Sequence, residues 1–361
     1  MSGLSREMII HPGETLKEIL EDRNMSQLEL ALRAGVTPKH ISTIISGEKN
    51  ISVSFAKKLE YALNIEAEFW INLQALYDKE ILEFDELNSI TDSELAVLKR
   101  LNAVVSYLVQ SEMMPSCNLP EQMVLELRKI LNVSNLTSIP NIVSSGAFRA
   151  QTSVSVDEYI LFAWQRICEL IAEKIDVDEI SFSEQKENIL KSIPQIKNLM
   201  FKSKEEFVSD LRTLFAQNGI AFCIVPSFKG APVQGFIKNL NSEKTSLCMT
   251  FRQKKADIFW FSLFHELGHF VNGDARQKFI DFESVESERE TKADTFAQNK
   301  LMDKKCYNRF LKLKDFSLTA IKSFAKEQNV LPCVVIGRLK KEKYLKWSDY
   351  NEESVIYSAE K

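Results

Sequence analysis

Two of the chain's four histidines fall in one pentapeptide, His265-Glu266-Leu267-Gly268-His269. On a helix, residues four apart project from one face, one turn from each other. Two imidazoles so placed can bind one divalent ion at the short distance typical of zinc–nitrogen bonds. Glu266, beside the first histidine, can hold an attacking water, accept its proton and later deliver that proton to a leaving amine. The spacing points to zinc-dependent peptide hydrolysis, with Zn2+ as cofactor. A catalytic zinc site keeps three protein ligands and one open position. The other histidines, His11 and His40, lie far upstream, so the third ligand should be a carboxylate or a cysteine. Glu283, Glu286, Glu288 and Glu290 crowd one stretch. Glu290 is the choice, because it opens the run Glu290-Thr291-Lys292-Ala293-Asp294 on an expected helix. Asp294 then sits one turn on, where it can accept a hydrogen bond from the non-coordinating nitrogen of a ligand histidine. Ala293 is small enough for that helix to lie close against the first. Gly268 is expected to keep its helix slim where a substrate or strand approaches. Tyr307 is a candidate for stabilising the oxyanion. Cys248 is a candidate for capping the open zinc position in a latent state.

Such a constellation needs rigid elements. Phe259, Trp260, Phe261, Leu263, Phe264, Leu267, Phe270 and Val271 surround the motif, so residues 257–271 read as a largely buried helix. Polar groups on a buried helix need partners, and a metal supplies one. A second helix is expected over 288–302. Before them, 220–225, 233–240 and 245–251 read as short strands, the last two joined by the turn-like Asn241-Ser242-Glu243. Helices are expected over 157–174, 205–218, 316–327 and 333–342. Residues 82–200 are mostly helical in pattern and rich in charge, broken by Pro115, Pro120 and Pro140. Within them, 132–145 reads as a linker or irregular loop, the first place to look for self-cleavage that frees the head from the body. The fold class is mainly α with a small β-sheet (α+β).

Residues 11–81 read as a set of short helices. The first covers about 14–23. Ser26, with Glu29 three residues on, gives a capping-box start to the second, where Leu28, Ala31 and Leu32 are the apolar positions and Gly35 the stop. Thr37 caps the third, with Pro38 at its first position. Ile41, Ile44 and Ile45 form its inward stripe and Gly47 ends it. Ser52 or Ser54 opens a fourth helix ending at Leu63, and 67–76 gives a fifth.

At 361 residues the chain has room for two domains and a spacer. Hydrophobic residues make up 45% and charged residues 27%, enough apolar material for a sizeable core. A formal net charge of -4 excludes a protein that coats nucleic acid with its whole surface, so any DNA contact must use a local patch. The N-terminal residues lack the apolar run of a signal peptide, and no uncharged apolar run is long enough to cross a bilayer. The six cysteines are scattered without a CxxC pair, which argues against a disulfide framework and a thiolate knuckle. The expected compartment is the cytoplasm, with reduced thiols and no membrane partner.

Residues 145–345 resemble the ImmA/IrrE family of metallopeptidases. The resemblance is carried by FWFSLFHELGH at 259–269, ETKADTFA at 290–297 and VLPCVVIGRL at 330–339. It implies a zincin-like peptidase with the glutamate of the second motif, Glu290, as third ligand. It also implies limited proteolysis of a regulatory protein, typically a helix-turn-helix repressor. The family's proline after the second helix is missing from NKLMD at 299–303.

Residues 11–78 resemble the XRE helix-turn-helix class, more narrowly the HigA-type antitoxins. His11-Pro12-Gly13-Glu14, the spacing of Gln27, Ala31 and Gly35, the segment 41–47 and Phe69-Trp70-Ile71-Asn72-Leu73-Gln74 carry this resemblance. It implies a recognition helix over 38–45, its N-terminal end aimed into the major groove of a double-stranded operator. Lys39, His40, Ser42 and Thr43 point away from the isoleucine stripe and are the contact candidates; Thr37 and Gln27 join them, Gln27 as a phosphate contact. Arg33, Lys39, Lys49, Lys57 and Lys58 face a single acid, Glu48, in that stretch. Such domains usually bind as homodimers on paired half-sites. The expected organisation is a five-helix helix-turn-helix domain over 1–82, a helical spacer over 83–144 and a peptidase domain over 145–361. The function that follows is a DNA-binding regulator with a zinc endopeptidase acting on a repressor or antitoxin-type partner. The alternative is a HigA-type antitoxin or repressor whose peptidase-like domain senses or binds without cutting.

Overall fold

The structure, a computed structural model, describes residues 6–144, 156–241, 243–274 and 285–357. The chain divides into two compact units. One takes in the chain up to Leu95 with Cys117–Leu125, the other Ala96–Ser116 with Glu126 onward. Residues 83–144 are therefore shared between the units. Among the described residues, no helix is long and apolar enough to cross a membrane.

The first unit is built from α1 (Pro12–Asp22), α2 (Gln27–Ala34), α3 (Pro38–Ile45), α4 (Val53–Leu63) and α5 (Ala67–Asn88). Local chemistry sets their ends. The Ser26 hydroxyl accepts from the Glu29 N–H at 3.1 Å, and Gly35 ends α2 at φ 62°, where a side chain would be strained. The Thr37 hydroxyl accepts from the His40 N–H at 3.2 Å, Pro38 takes the first position, and Ser52 caps α4. A Cβ on Gly13 would lie 1.9 Å from the Ile44 carbonyl oxygen, so glycine is needed where α1 starts against the end of α3. Leu16, Leu30, Ile41, Ile44, Phe55, Leu59 and Trp70 fill the core. The inward stripe of α2 is a correction. Leu28 and Leu32 are 58% and 75% exposed; Ala31 is buried as expected, with Leu30 and Ala34 buried beside it. Both triplets have helical spacing; contact with neighbouring helices chooses between them.

Further along come α6 (Asp92–Arg100), α7 (Asn102–Gln110), α8 (Pro120–Leu131) and α9 (Ile139–Ser144). The expected loop over 132–145 is a second correction. A 3-10 turn, Leu136–Ser138, runs directly into α9, with Asn135 capping it. Leu136, Ile139 and Val143 are buried, spaced as a helix spaces one face. Polar composition hid that stripe.

The second unit continues with α10 (Glu158–Glu173), α11 (Phe182–Leu199), α12 (Lys204–Ala216), β1 (Ile220–Ile224), β2 (Gly235–Asn239) and β3 (Thr245–Met249). It closes with α13 (Ala256–Asn272), α14 (Val285–Leu301), α15 (Lys304–Leu313), α16 (Leu318–Glu327) and α17 (Pro332–Lys341). The sheet order is β1-β3-β2. β1 and β3 are parallel, with Cys223 opposite Cys248; β2 is antiparallel to β3, with Gly235 opposite Met249. Asn241 forms the turn between them, its Oδ1 accepting from the Glu243 and Lys244 N–H groups at 2.9 and 2.7 Å. One face of the sheet meets α10, where Trp164 packs on Phe236. The other meets α12 and α13, where Phe222 packs on Phe215 and Gly235 meets Glu266.

α13 is the central element. Trp260, Leu263, Phe264, Leu267 and Phe270 are fully buried, each side chain worth roughly 1.5–3 kcal/mol in apolar burial. α14 lies along it with Ala293, Ala297 and Leu301 inward. A Cβ on Gly268 would lie 2.9 Å from the Ala293 Cα and 3.0 Å from its carbonyl oxygen. Gly268 therefore makes room for α14, not for a substrate or a strand as expected. The small Ala293 allows the same close approach from the other side.

Candidate functional site

The end of α13 and the start of α14 bring four lone-pair atoms to one place. The Nε2 atoms of His265 and His269 lie 3.1 Å apart. Glu290 Oε2 is 3.2 Å from the first and Oε1 is 3.2 Å from the second. Among the described residues, His265, His269 and Glu290 form a group whose donor atoms all lie within 4.8 Å of one another. Among the described residues, the close partners of each Nε2 are the other Nε2 and carboxylate oxygens, so the cluster needs protons or a cation at its centre. That donor chemistry fits a divalent metal such as zinc.

The outer nitrogens are held too. His265 Nδ1 lies 2.9 Å from Asp294 Oδ1, and Lys341 Nζ lies 3.4 Å from Asp294 Oδ2. His269 Nδ1 lies 3.0 Å from Asp274 Oδ2. With each Nδ1–H donating outward, Nε2 is the nitrogen that both rings turn inward.

The electrostatics follow from this crowding. Burial works against charge on His265, but hydrogen bonds to Asp294 and Glu290 outweigh it and push the imidazole up to about 10. His269 is raised in the same way, against burial, by Glu290, Glu266 and Asp274. The two imidazoles hold the Glu290 carboxyl well below the usual carboxylate range. Hydrogen bonding to His265 lowers Asp294. Glu266 goes the other way: burial pushes it up, although the two histidines pull it down. A carboxyl raised towards neutrality is suited to taking up and giving back a proton.

The remaining sequence candidates sort as follows. Glu288 pairs with Lys292 at 2.8 Å. Glu283 and the Glu286 side chain lie outside the described residues. The capping role for Cys248 is overturned. Its thiol sits 3.0 Å from the Cys223 sulfur and 3.7 Å from the Cys168 carbonyl oxygen, on the face of β3 that meets α10. Tyr307 is engaged away from the histidine cluster, with Glu342 and Arg338. It is buried, its hydroxyl donates to Glu342 at 2.8 Å, and Arg338 stacks on its ring. Three neighbours escaped the sequence reading: Asp274, Lys341 and Gly235. A Cβ on Gly235 would lie 2.6 Å from the Glu266 side chain, so β2 passes directly over the proposed base. A glycine inside a strand pattern was the available signal for such an approach.

In the first unit, Gln27, Thr37, Lys39 and Ser42 are exposed, and His40 and Thr43 are half-buried. The His40 ring packs edge-on against Phe55 at 4.8 Å, and the Thr43 hydroxyl donates to the His40 carbonyl at 3.0 Å. Burial, then the charges of Lys49 and Lys58, lower the His40 pKa. Arg33 and Lys57 are paired with Glu29 and Glu60, whereas Lys39 and Lys49 have no salt-bridge partner among the described residues.

Residues 16–70 match the helix-turn-helix family. Virulence-associated protein I of Dichelobacter nodosus is 31% identical over 86 residues, spanning 24% of this chain and 80% of that protein. Virulence-associated protein A' of the same organism is 41% identical over 69 residues, 19% of this chain and 60% of that protein. Among solved structures, a putative antidote protein of a plasmid maintenance system from Nostoc punctiforme is 30% identical. That match covers 23% of this chain and 97% of that one, at a TM-score of 0.20. An addiction module antidote protein of a HigA family from Coxiella burnetii is 29% identical over 23% of this chain and 95% of its own, at a TM-score of 0.21. The chain belongs to the helix-turn-helix family, and its N-terminal unit is a DNA-binding domain of that type.

Proposed function

We propose that this chain is a DNA-binding regulator whose second unit is a zinc-dependent endopeptidase acting on a regulatory protein. One observation carries the enzymatic part: two Nε2 atoms and both oxygens of Glu290 face one point, with Glu266 beside them. The resemblance of residues 145–345 to the ImmA/IrrE metallopeptidases supports it. His265, His269 and Glu290 would hold the ion, and Asp294 would orient His265. A bound zinc would supply Lewis acidity, making an attacking water easier to deprotonate and a peptide carbonyl easier to attack. Glu266 would take the proton from that water and return it to the leaving amine nitrogen. β2 is the end strand of its sheet, so an extended substrate segment can add along its outer edge, next to Glu266.

On DNA, α3 would enter the major groove of an operator, with Lys39, His40, Ser42 and Thr43 as contacts and Gln27 and Thr37 near phosphate. A homodimer on two half-sites is the corresponding assembly.

The test is metal analysis and cleavage assays of the wild type beside Glu266→Gln, with the chain itself and a co-encoded repressor or antitoxin-type partner as substrates. Both proteins should hold one zinc per chain, and only the wild type should cut. The variant's rate should fall by about 10²–10⁴-fold, the usual contribution of a general acid–base group. Wild-type protein that holds zinc yet cuts neither substrate would move the reading to a repressor or antitoxin whose second unit senses or binds.

A further inference from the structure

We propose that Asp274, steered by Arg289, is the positioning residue for His269; this rests on the metal reading above. Gly273 ends α13 at φ 86°, a conformation that suits glycine and turns the chain back on the helix end. The turn brings the Asp274 carboxylate to His269, with Oδ2 at 3.0 Å from Nδ1 and its side chain only 18% exposed. On its far side, Oδ1 lies 3.7 Å from Arg289 Nε. Arg289 directly precedes Glu290, so α14 supplies both a ligand candidate and the cation that holds this carboxylate.

The two imidazoles are thus fixed by different means. His265 is held by Asp294 from α14, itself 3.4 Å from Lys341 on α17. His269 is held by an acid from its own helix end, fastened to α14 through Arg289. Without Asp274, the His269 ring loses the acceptor that keeps its proton on Nδ1 and its lone pair on Nε2. The ring can then rotate, or change tautomer, away from the cluster.

Two measurements on the full-length protein test this. The first is the set of solvent-protected imidazole N–H proton resonances, recorded metal-free and zinc-loaded. The second is zinc affinity by competition with a chromophoric chelator. Zinc-loaded wild type should show two protected imidazole protons at the cluster, one on each Nδ1. Asp274→Ala should lose one of them and Asp294→Ala the other. Zinc affinity of Asp274→Ala should fall by about 10–100-fold, the usual effect of removing such an outer partner. Asp274→Asn, which keeps an acceptor oxygen, should keep the resonance and lose less. Asp274→Ala that retains both resonances and binds zinc within twofold of wild type overturns the proposal. If Asp274→Ala does not fold, Arg289→Gln must weaken zinc several-fold and speed exchange of that same proton; no change in either overturns it. Wild type that takes up no zinc sinks the metal reading instead, and the N–H resonances then decide the role of Asp274 alone.

Discussion

His265 and His269 turn the same nitrogen to the same point because each has its other nitrogen tied to a carboxylate. In the metal-free protein this crowding keeps the His265 proton on up to about 10. A metal needs the lone pair that this proton occupies. The group is protonated at neutral pH, so metal uptake must expel the proton. Zinc affinity should rise as pH increases from 6 to 9, and binding at pH 7 should release about one proton or more per ion. Calorimetry in buffers of different ionisation enthalpy measures that number, and a value of zero would contradict the arrangement.

At the scale of elements, the site depends on how closely α13 and α14 approach. Glu290 and Asp294 ride on α14, and Gly268 and Ala293 let it lie against the histidine helix. A methyl group at 268 would meet backbone atoms, which cannot swing aside as a flexible side chain would. Gly268→Ala should therefore destabilise the protein by about 1–3 kcal/mol, the usual range for overpacking. It should also weaken zinc, because the third ligand moves with α14. A melting temperature and zinc affinity equal to wild type would show that the contact is looser than described. The motif predicted both helices to within a few residues. The small Ala293 already marked its helix as one that lies close against the histidine helix; that Gly268 is the residue it meets could not be read from spacing, because spacing describes one helix at a time.

At the scale of the molecule, each unit has its own buried core: one around Leu16, Ile41 and Trp70, the other around Trp260, Phe264 and Val335. Two cores should give two unfolding transitions, and zinc should stabilise only the unit that binds it. Adding zinc should raise one transition, and a chelator should return it, while the other stays in place in differential scanning calorimetry. The net charge of -4 leaves DNA binding to the local basic patch. Lys39→Ala should weaken binding similarly across DNA sequences and make the log–log salt slope shallower by about 0.9, the value for one phosphate contact. An unchanged slope would remove Lys39 from the interface.

The amino-acid sequence alone determined what local rules govern. Caps at Ser26 and Thr37, the stop at Gly35 and the four-residue histidine spacing act within one or two turns of backbone, and they stand where they were expected. Long-range packing decided the rest. Gly235 lies over Glu266 only because β2 pairs with β3, and Leu28 faces outward only because Leu30 meets the neighbouring helices. Contacts between segments far apart in the chain are set by which surfaces exclude water together, and no window of adjacent residues contains that information.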